Sequence, residues 1–315
     1  MASEHELEDV EGVGPATARK LRKQGIRPSD PGCCNPFELS EVAGIGYNVA
    51  LKISQRAREL VKINLVTAGE VYKRRQLAQK ITTGSKALDA LLGRGVETQA
   101  ITELVGEFGT GKTQLCHSLS VSVQLPKDRG GLQASALYID IEGTFRPERI
   151  VQIARRNDLD AKKALKNIIY ARVYNSDHQV LIVDKAWEVC GEKNFRLIVV
   201  DSLTCLFRKE YLGREALVLR QQRLNSHVHK LLKLAEALNL AVVVTNQVVA
   251  NSGQLFGDLN KPAGGNVVAH ACTYRVYLRR GKEKTRVATM IDAPHLPYCE
   301  ASFLIGRAGS IMLLD

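Results

Sequence analysis

An eight-residue string in the first half of the chain has the glycine, lysine and threonine spacing of a phosphate-binding loop. The string Gly106-Glu107-Phe108-Gly109-Thr110-Gly111-Lys112-Thr113 fits the pattern GxxxxGK[ST]. It follows the apolar run Ile101–Val105, which predicts a strand, and precedes a helix predicted through Gln114–Val123. Glycines let successive N–H groups turn toward phosphate oxygens at the positive end of a helix. We expect Lys112 to reach the β- and γ-phosphates of a nucleotide and Thr113 to hold Mg²⁺.

Carboxylates follow two other apolar runs. Asp201 comes directly after Leu197–Val200 and is expected on a strand next to that of the phosphate loop, where it would orient Mg²⁺-bound water. The run Ala136–Ile139 ends in Asp140 and continues to Glu142. Glu142 is the better candidate for the base that positions an attacking water, and Asp140 is the alternative. A carboxylate here also fits a helix N-cap.

The elements that must position these groups alternate along most of the chain. From residue 81 onward, apolar runs that predict strands are separated by segments long enough for crossover helices. The predicted strands are Ile101–Val105, Ala136–Ile139, Leu197–Val200, Ala241–Thr245 and Thr273–Leu278. We therefore expect residues 81–315 to form an α/β core with a mostly parallel central sheet.

Residues 1–60 differ from this core and contain an internal repeat. The strings Val10–Gly14 and Val42–Gly46 share the pattern apolar-x-Gly-apolar-Gly, and each precedes a predicted helix. Pro15 suits a first helical turn and Gly25 a helix stop, and prolines such as Pro36 are expected to break the chain between the repeats. Residues 61–80, with the basic run 73–75, are interpreted as a linker.

Charge and composition limit the function classes. The chain has 315 residues and a net charge of +11. Residues 1–60 hold 8 Lys/Arg against 9 Asp/Glu (−1), and the remainder holds 36 against 24 (+12). A basic main body favours a polyanionic partner such as nucleic acid. No apolar run approaches the roughly 18 residues of a membrane span, and the acidic, polar first residues exclude a signal peptide. Seven cysteines without a CxxC pair disfavour a zinc site or disulfides and indicate a reduced, intracellular compartment.

Together these strings resemble the RecA-family strand-exchange recombinases, in the archaeal and eukaryotic branch typified by archaeal RadA. The distinctive strings are the phosphate loop, residues 138–149 (YIDIEGTFRPER), Thr245–Val248 (TNQV) and Gly264–Asn266 (GGN). The resemblance covers nearly the whole chain. It implies a RecA-type P-loop ATPase core preceded by a small all-α helix-hairpin-helix domain. In that domain, turns containing Gly12, Gly14, Gly44 and Gly46 would meet DNA phosphates without reading sequence. A pure protein-docking domain remains the alternative.

The resemblance also implies roles at the nucleotide. Glu142 is similar to the catalytic glutamate of the family. Gln247 is similar to the glutamine that senses the γ-phosphate and relays it to a DNA-binding loop. Arg149 resembles a residue that packs on the adenine. Three residues resemble groups that reach the nucleotide from a neighbouring subunit: His270, Asp292 and Pro294. ATP would then lie between protomers, and a non-closing interface of this kind builds a helical filament.

Two segments are expected to contact DNA. The first follows Asp201 and leads into a helix that is predicted to run to about Leu240, with Leu217 among its apolar positions and a basic stripe of Arg220, Arg223, His227 and Lys230 beside them. The second is the Gly- and Asn-rich stretch Val248–Gly265, interpreted as a loop. The residues that match the family are Arg208, Tyr211, Arg214, Arg220, Lys261, Gly264 and Gly265. A solvated charged face is the alternative for the arginines.

One linker position departs from the family. The resemblance implies a Phe-x-x-Ala segment that tethers each subunit to the next. Here Leu65 stands in place of the aromatic residue, and Ala68 is kept. Leucine would fill a partner pocket less completely, so the tether is expected to be weaker.

The sequence thus predicts a DNA-dependent ATPase that needs ATP and Mg²⁺, forms helical filaments on single-stranded DNA and exchanges it with a homologous duplex in the repair of DNA damage. The alternatives are a recombinase paralogue or mediator that exchanges no strands, and a hexameric RecA-fold helicase motor. Expected partners are single- and double-stranded DNA, further copies of the chain in a filament or ring, and recombination mediators, with no membrane. The expected location is cytoplasmic and nucleoid-associated for an archaeal source, or nuclear for a eukaryotic one.

Overall fold

A computed structural model describes residues 7–23, 36–60, 65–250, 260–306 and 311–312. The chain divides into two units. The first consists of Met1–Gln76 with Asp184–Val189, and the second of Leu77–Val183 with Cys190–Asp315.

The described part of the chain up to Gln76 contains helices and no strand. After a 3-10 turn at Leu7–Asp9, its helices are α1 (Pro15–Lys23), α2 (Pro36–Ala43), α3 (Tyr47–Leu60) and α4 (Ala68–Arg75). Pro15 opens α1 as predicted. The prediction that Pro36 breaks the chain is wrong, because Pro36 begins α2, where its missing N–H costs nothing. Gly25 lies outside the described residues.

The repeat predicted in this region is confirmed as two equivalent helix starts. The carbonyl of Gly14 accepts the first helical hydrogen bond of α1 from Ala18 N (2.9 Å), and the carbonyl of Gly46 accepts that of α3 from Ala50 N (3.0 Å). Gly12 has φ +93°, a backbone conformation that favours glycine. The apolar residues of the two repeats form one small core, with members Leu7, Val10, Val13, Ala18, Leu21, Leu39, Ala43, Ala50, Ile53 and Ala57.

The chain after Gln76 alternates strands and helices. Its strands are β1 (Lys80–Ile81), β2 (Val96–Glu97), β3 (Ala100–Gly106), β4 (Ser135–Asp140), β5 (Ile168–Arg172), β6 (Phe195–Asp201), β7 (Ala241–Asn246), β8 (Val248–Ala250), β9 (Asn260–Pro262), β10 (Tyr274–Arg280), β11 (Thr285–Asp292), β12 (Glu300–Ile305) and β13 (Ile311–Met312). Its helices are α5 (Lys86–Leu91), α6 (Lys112–Ser122), α7 (Pro147–Arg156), α8 (Ala161–Lys166), α9 (Ser176–Glu192), α10 (Cys205–Glu210), α11 (Leu217–Leu238) and α12 (Gly265–Ala271).

Nine strands form one sheet in the order β13-β12-β11-β10-β3-β7-β6-β4-β5. The six strands from β10 to β5 are mutually parallel. The remaining strands, β11, β12 and β13, pair antiparallel: β11 with β10, β12 with β11 and β13 with β12. The mostly parallel sheet is therefore confirmed, and each of the five predicted strands lies in it. The antiparallel edge after Arg280 was not predicted.

The central strands are buried on both faces, as a parallel sheet requires. Every residue of β3 and of β7 is buried. On one face, Leu115 and Leu119 of α6 and Ile150 of α7 belong to the main apolar cluster. Leu224, Val228 and Leu231 of α11 are buried in their turn, and α11 contacts β3 and β7. This arrangement brings the carboxyl ends of β3, β4, β6 and β7 to one edge, where α/β sheets bind their ligands.

Among the described residues, no helix is long and apolar enough to cross a membrane. The five cysteines in the described part of the chain are all free, and three of them are buried. Within the same residues there is no group of three or more His, Cys, Asp or Glu side chains that could hold a metal ion.

Candidate nucleotide site and nucleic-acid interface

The phosphate loop lies between β3 and α6, as predicted. Gly109 and Gly111 adopt φ +76° and φ +103°, values that side-chain-bearing residues rarely take. Gly111 is the N-cap of α6, so the loop ends on the positive end of that helix. Thr110 is buried, and its hydroxyl donates to the carbonyl of Glu107 (2.9 Å), which holds the loop in shape.

Lys112 closes over the loop. Its Nζ donates to the carbonyls of Gly106 (2.6 Å) and Glu107 (2.8 Å). Burial lowers the pKa of Lys112, while the carboxylates of Glu142 and Asp201 act to raise it. Two backbone carbonyls thus hold the lysine at the loop. Phosphate oxygens would be stronger hydrogen-bond partners for its Nζ and would replace these carbonyls.

Asp201 ends β6 as predicted and is buried. Its Oδ2 accepts the hydroxyls of Thr113 (2.9 Å) and Tyr138 (2.9 Å), and its Oδ1 accepts that of Thr245 (2.5 Å). Burial raises the pKa of Asp201 above its ordinary value, although these three hydrogen bonds oppose the rise. A nearby cation would stabilise this carboxylate.

The prediction that Asp201 lies on the strand next to the phosphate loop is wrong. Strand β7 separates β3 from β6. Thr113 still reaches Asp201 because it lies in the first turn of α6, beyond the end of β3, and not on the strand itself.

Asp140 ends β4 with no exposed surface and holds the loop that carries Glu142. Arg172 adds a contact of 3.6 Å to Asp140 Oδ1. The donors to the carboxylate are the N–H groups of Gly143 (2.7 Å), Thr144 (3.2 Å) and Phe145 (3.2 Å) and the Tyr170 hydroxyl (3.1 Å). Both carboxylate oxygens are therefore occupied, and Asp140 is an anchor for the loop. The alternative of Asp140 as base does not fit this environment.

A buried histidine, which the sequence did not single out, anchors the far end of the same loop. His117 Nε2 accepts the N–H of Arg146 (3.3 Å), and the ring packs against both Tyr138 and Phe145. Burial lowers the pKa of His117 to about 4, so the ring is neutral at pH 7 and Nε2 is free to accept. The loop is thus fixed at both ends.

Glu142 is exposed at the middle of this arrangement and meets Gln247. Gln247 Nε2 donates to Glu142 Oε1 over 2.9 Å. Gln247, which the resemblance alone placed at the nucleotide, follows β7 directly, so it meets Glu142 from a strand that is not adjacent to β4. Glu142 and Gln247 also face the same cleft as the phosphate loop.

The cleft has a volume of about 890 Å³. Arg149, which the resemblance assigns to the adenine, is one of the residues that line it. Residues on its wall that the sequence did not reveal are Thr144, Arg146, Val248, Arg286, Ile305 and Gly306. Arg146 stands inside the string 138–149 and could have been suspected. Arg286, Ile305 and Gly306 come from β11, β12 and the residue after it, and nothing in their local sequence marks them.

The three residues attributed to a neighbouring subunit lie elsewhere. His270 is exposed on α12, Asp292 is exposed at the end of β11, and Pro294 is exposed just beyond it. The described residues that line the cleft do not include them. Within one chain, these three residues therefore do not face the cleft that contains the phosphate loop.

The first expected DNA segment runs from α10 into α11. Arg208 is half-buried on α10, Arg214 is exposed in the connection, and the Arg220 guanidinium donates to the carbonyl of Tyr211 (3.5 Å). The Tyr211 ring also lies 5.5 Å from the guanidinium of Arg223. Arg220 and Arg223 therefore both contact Tyr211.

Two predictions for α11 are wrong, each at one residue: one member of the basic stripe is buried, and one member of the apolar face is exposed. His227 is buried, and Gln179 Nε2 lies 3.1 Å from its Nε2. Burial lowers the pKa of His227 to about 3. Leu217, expected on the apolar face, is exposed in the first turn. Periodicity alone did not resolve which of two adjoining helical rows turns inward.

The second expected DNA segment is more ordered at its ends than a loop. Val248–Ala250 and Asn260–Pro262 pair as antiparallel strands, and Val248 pairs with Pro262. Lys261 is exposed on β9. Gly264 has φ +90° and caps α12, and Gly265 is the first residue of that helix. Residues 251–259, including Leu255, lie outside the described residues.

The linker position that departs from the family is open to solvent. Leu65 is 92% exposed, and Ala68 begins α4 behind a capping box formed by Thr67 and Glu70. Every residue of α4 is exposed as well. Leu65 therefore covers no described part of its own unit.

The sheet order, the phosphate loop on β3 and the carboxylate on β6 define a P-loop protein with a RecA-type core. The family model described as Rad51 matches residues 73–312. A model of a SAM-like helix-hairpin-helix tandem matches residues 4–30. The DNA repair and recombination protein RadA of Cenarchaeum symbiosum (strain A) is 50% identical over 311 residues, which cover 96% of this chain and 78% of that protein.

The chain belongs to the Rad51 family. It is a recombinase of DNA repair and recombination, with a helix-hairpin-helix domain before a RecA-type core. The resemblance stated from the sequence is confirmed at this level.

Proposed function

We propose that this recombinase binds and hydrolyses ATP with Mg²⁺, assembles on single-stranded DNA and exchanges that strand with a homologous duplex. The observation that carries the proposal is the shared cleft that holds the phosphate loop, the Thr113–Asp201 pair and the Glu142–Gln247 pair. Cradle, metal position and water-activating carboxylate are the three parts that phosphoryl transfer to water needs.

The donor set fits Mg²⁺ and a triphosphate. Thr113 Oγ1 and Asp201 Oδ2 are two oxygens 2.9 Å apart at the start of α6. Mg²⁺ keeps several waters and is held by few protein oxygens plus phosphates, so a dedicated cage of carboxylates is not required. When bound, Mg²⁺ supplies positive charge that offsets the charge of the phosphate oxygens. Lys112 and the N–H groups of the loop would hold the phosphates.

Glu142 is the residue that we assign to the attacking water. Its carboxylate is exposed to the cleft and is buttressed on one oxygen by Gln247, which leaves the other oxygen to accept a proton. Asp140 and His117 fix its loop from both ends. Gln247 lines the same cleft and directly precedes Val248, which supports the proposal that it contacts the terminal phosphate and the second DNA segment.

In the first DNA segment, the proposed contacts to phosphates and bases are Arg208, Tyr211, Arg214 and Arg220. In the second segment, they are Lys261 and the Gly264–Gly265 turn. In the first unit, the turns at Gly12–Gly14 and Gly44–Gly46 are proposed to meet DNA backbone. The proposed tether to the next subunit consists of Leu65 and Ala68. The groups that we propose to reach the nucleotide bound by a neighbouring subunit are His270, Asp292 and Pro294. An archaeal relative at 50% identity favours a cytoplasmic, nucleoid-associated location.

The test is Glu142→Gln, which keeps the shape of the side chain and removes its basicity. Loss of a general base typically lowers the rate by about 10²- to 10⁴-fold. We expect DNA-stimulated ATP hydrolysis to fall in that range, while ATP-dependent filaments on single-stranded DNA persist and last longer under electron microscopy. Glu236→Gln, the same change on the exposed side of α11, serves as the control and should hydrolyse ATP at the parent rate. Hydrolysis at the parent rate by Glu142→Gln would remove the assignment.

Strand exchange is distinguished from helicase action by the substrate. The proposed recombinase converts single-stranded DNA plus homologous duplex to exchanged product, and it displaces no strand from a forked duplex without a homologous partner. A hexameric motor would displace the strand of a forked duplex and would form no exchanged product. A mediator on its own would catalyse neither reaction.

A further inference from the structure

A buried asparagine lies directly behind Gln247 and uses every hydrogen bond that its side chain can make. Asn246 ends β7 with no exposed surface. Its amide nitrogen donates to Glu103 Oε1 (2.6 Å) and to the carbonyl of Ala263 (2.6 Å). Its amide oxygen accepts the hydroxyl of Thr204 (2.8 Å) and the N–H of Gln247 (2.9 Å). Two donors and two acceptor positions are thus all satisfied.

The orientation of this amide is fixed by charge. Glu103 is fully buried on β3, and its second oxygen accepts Arg275 Nε over 2.6 Å. An ionised carboxylate only accepts hydrogen bonds, so the amide nitrogen of Asn246 must face Glu103 and its oxygen must face Thr204 and Gln247. A flipped amide would place its oxygen against both Glu103 and the Ala263 carbonyl.

Three of the four partners of Asn246 belong to different functional segments. Thr204 is the residue before α10, the helix that carries Arg208. Ala263 is the residue before the Gly264–Gly265 turn, and its own N–H donates to the carbonyl of Gln247 (2.9 Å). Gln247 in turn donates to Glu142 in the cleft. The nucleotide side, the start of the first expected DNA segment and the end of the second therefore meet at one buried side chain.

We propose that Asn246 is a positioning residue that couples the nucleotide cleft to the first DNA segment through Thr204 and to the second through Ala263. A displacement of Gln247 cannot leave this cluster unchanged, because the N–H of Gln247 and the hydroxyl of Thr204 share one acceptor oxygen. The coupling is a free energy between two sites, so it acts equally in both directions. The proposal rests on the proposed function, since it presumes that the chain binds both a nucleotide and DNA.

Thr204→Val tests the arm to the first segment. The change removes only the hydroxyl hydrogen bond to Asn246, because Thr204 makes no side-chain cap to α10. Asn246 keeps its other three bonds, so the cluster stays together. Thr102→Val is a matched control: Thr102 is equally buried on β3, and its hydroxyl has no hydrogen-bond partner among the described residues.

The readout is the ratio of two dissociation constants for an oligo(dT) strand, one measured with ADP and Mg²⁺ and one with a non-hydrolysable ATP analogue and Mg²⁺. Loss of one buried hydrogen bond in the coupling route should reduce this ratio about three- to tenfold in Thr204→Val. The effect of oligo(dT) on the affinity for the ATP analogue should fall by the same factor. Thr102→Val and Thr204→Ser, which keeps a hydroxyl, should retain the parent ratio.

A purely structural hydrogen bond would lower the unfolding temperature and leave the ratio at the parent value, and that result overturns the proposal. An equal fall of the ratio in Thr102→Val also overturns it, since the effect would then be general loosening of the core. If Thr204→Val does not fold, Thr204→Ala removes the same hydroxyl without adding a methyl group and is judged by the same ratio. If the parent protein binds oligo(dT) with the same affinity in ADP and in the ATP analogue, the proposed function is refuted instead.

Discussion

Asp140→Asn separates the two roles that a carboxylate at the end of β4 can have. As an anchor, Asp140 holds the backbone of the loop through Gly143, Thr144 and Phe145, and the change should act on stability. As the base, it would act on the rate of hydrolysis and leave the fold alone. The two effects differ in kind, so one variant distinguishes them.

The expected loss of stability follows from the donors that surround the carboxylate. Hydrogen bonds to a charged acceptor contribute about 1.5–3 kcal/mol, and neutral ones about 0.5–1.5 kcal/mol. An asparagine keeps one oxygen for two of the donors, and each of these two bonds weakens by about 1 kcal/mol. Its NH₂ group then faces a backbone N–H, which loses its partner at a cost of about 1–3 kcal/mol. The Tyr170 hydroxyl can rotate to accept.

One effect opposes this loss, because a neutral amide costs less to bury than a carboxylate, although Arg172 then loses its ion-pair partner. The net destabilisation should be about 2–4 kcal/mol. Hydrolysis should fall only modestly, by about tenfold or less, because Glu142 is displaced and not removed.

Urea unfolding and the DNA-stimulated hydrolysis rate, both measured at a temperature where the variant is folded, check this expectation. Asp158→Asn is the matched control, since Asp158 is an exposed aspartate 3.8 Å from Arg129 and should change stability by less than about 0.5 kcal/mol. The reasoning is refuted if Asp140→Asn unfolds like the parent protein while hydrolysis falls a hundredfold or more. Asp140 would then be the base.

Three further predictions concern DNA, assembly and pH. Replacing Arg214 and Arg220 with alanine should lower the salt slope of single-strand binding by about 1.4, at about 0.7 for each phosphate that is no longer neutralised; an unchanged slope would return them to a solvated charged face. Leu65→Phe should lower the critical concentration for assembly several-fold in light scattering, through about 1 kcal/mol of added burial. An overfilled pocket would raise that concentration, and no change for either Leu65→Phe or Leu65→Ala would show that the segment is not the tether. Because the pKa of His227 falls from 6.5 to about 3 on folding, the unfolded chain binds the extra proton between these values. Stability should therefore fall as pH drops from 6.5, and His227 should account for about 2 kcal/mol of the loss at pH 5, beside a loss of similar size from His117, whose pKa falls to about 4. In urea unfolding, His227→Leu should lose the His227 share of this dependence and keep the share of His117, and His229→Leu, at an exposed position, should keep both.

The parts of the fold that could be predicted from the sequence are those specified locally. A run such as Val242–Val244 has no stable place except a buried strand, and the phosphate loop is defined within eight consecutive residues. The two glycine turns of the first unit repeat the same local pattern. In each case neighbouring residues carry both the signal and its structural consequence.

Contacts between distant strands could not be predicted in this way. Nothing near Tyr138 or Thr245 indicates that their hydroxyls meet Asp201, because that meeting depends on the order of β4, β6 and β7 in the sheet. His227 was misplaced for a related reason. Its spacing fits the basic row of α11, but only the packed structure shows that this row turns inward at that position.

The cleft within one chain is lined by the phosphate loop, Asp201 and Glu142, but His270, Asp292 and Pro294 are exposed and are not among its lining residues. On the proposed function, these three groups act at the nucleotide of the next subunit. The surface that offers them then differs from the surface that receives them, and such a head-to-tail contact need not close. It follows that nucleotide binding and filament growth share one interface. ATP affinity should accordingly depend on protein concentration, and a weak tether at Leu65 would reduce both together, because the tether sets how often a neighbour is present to complete the site.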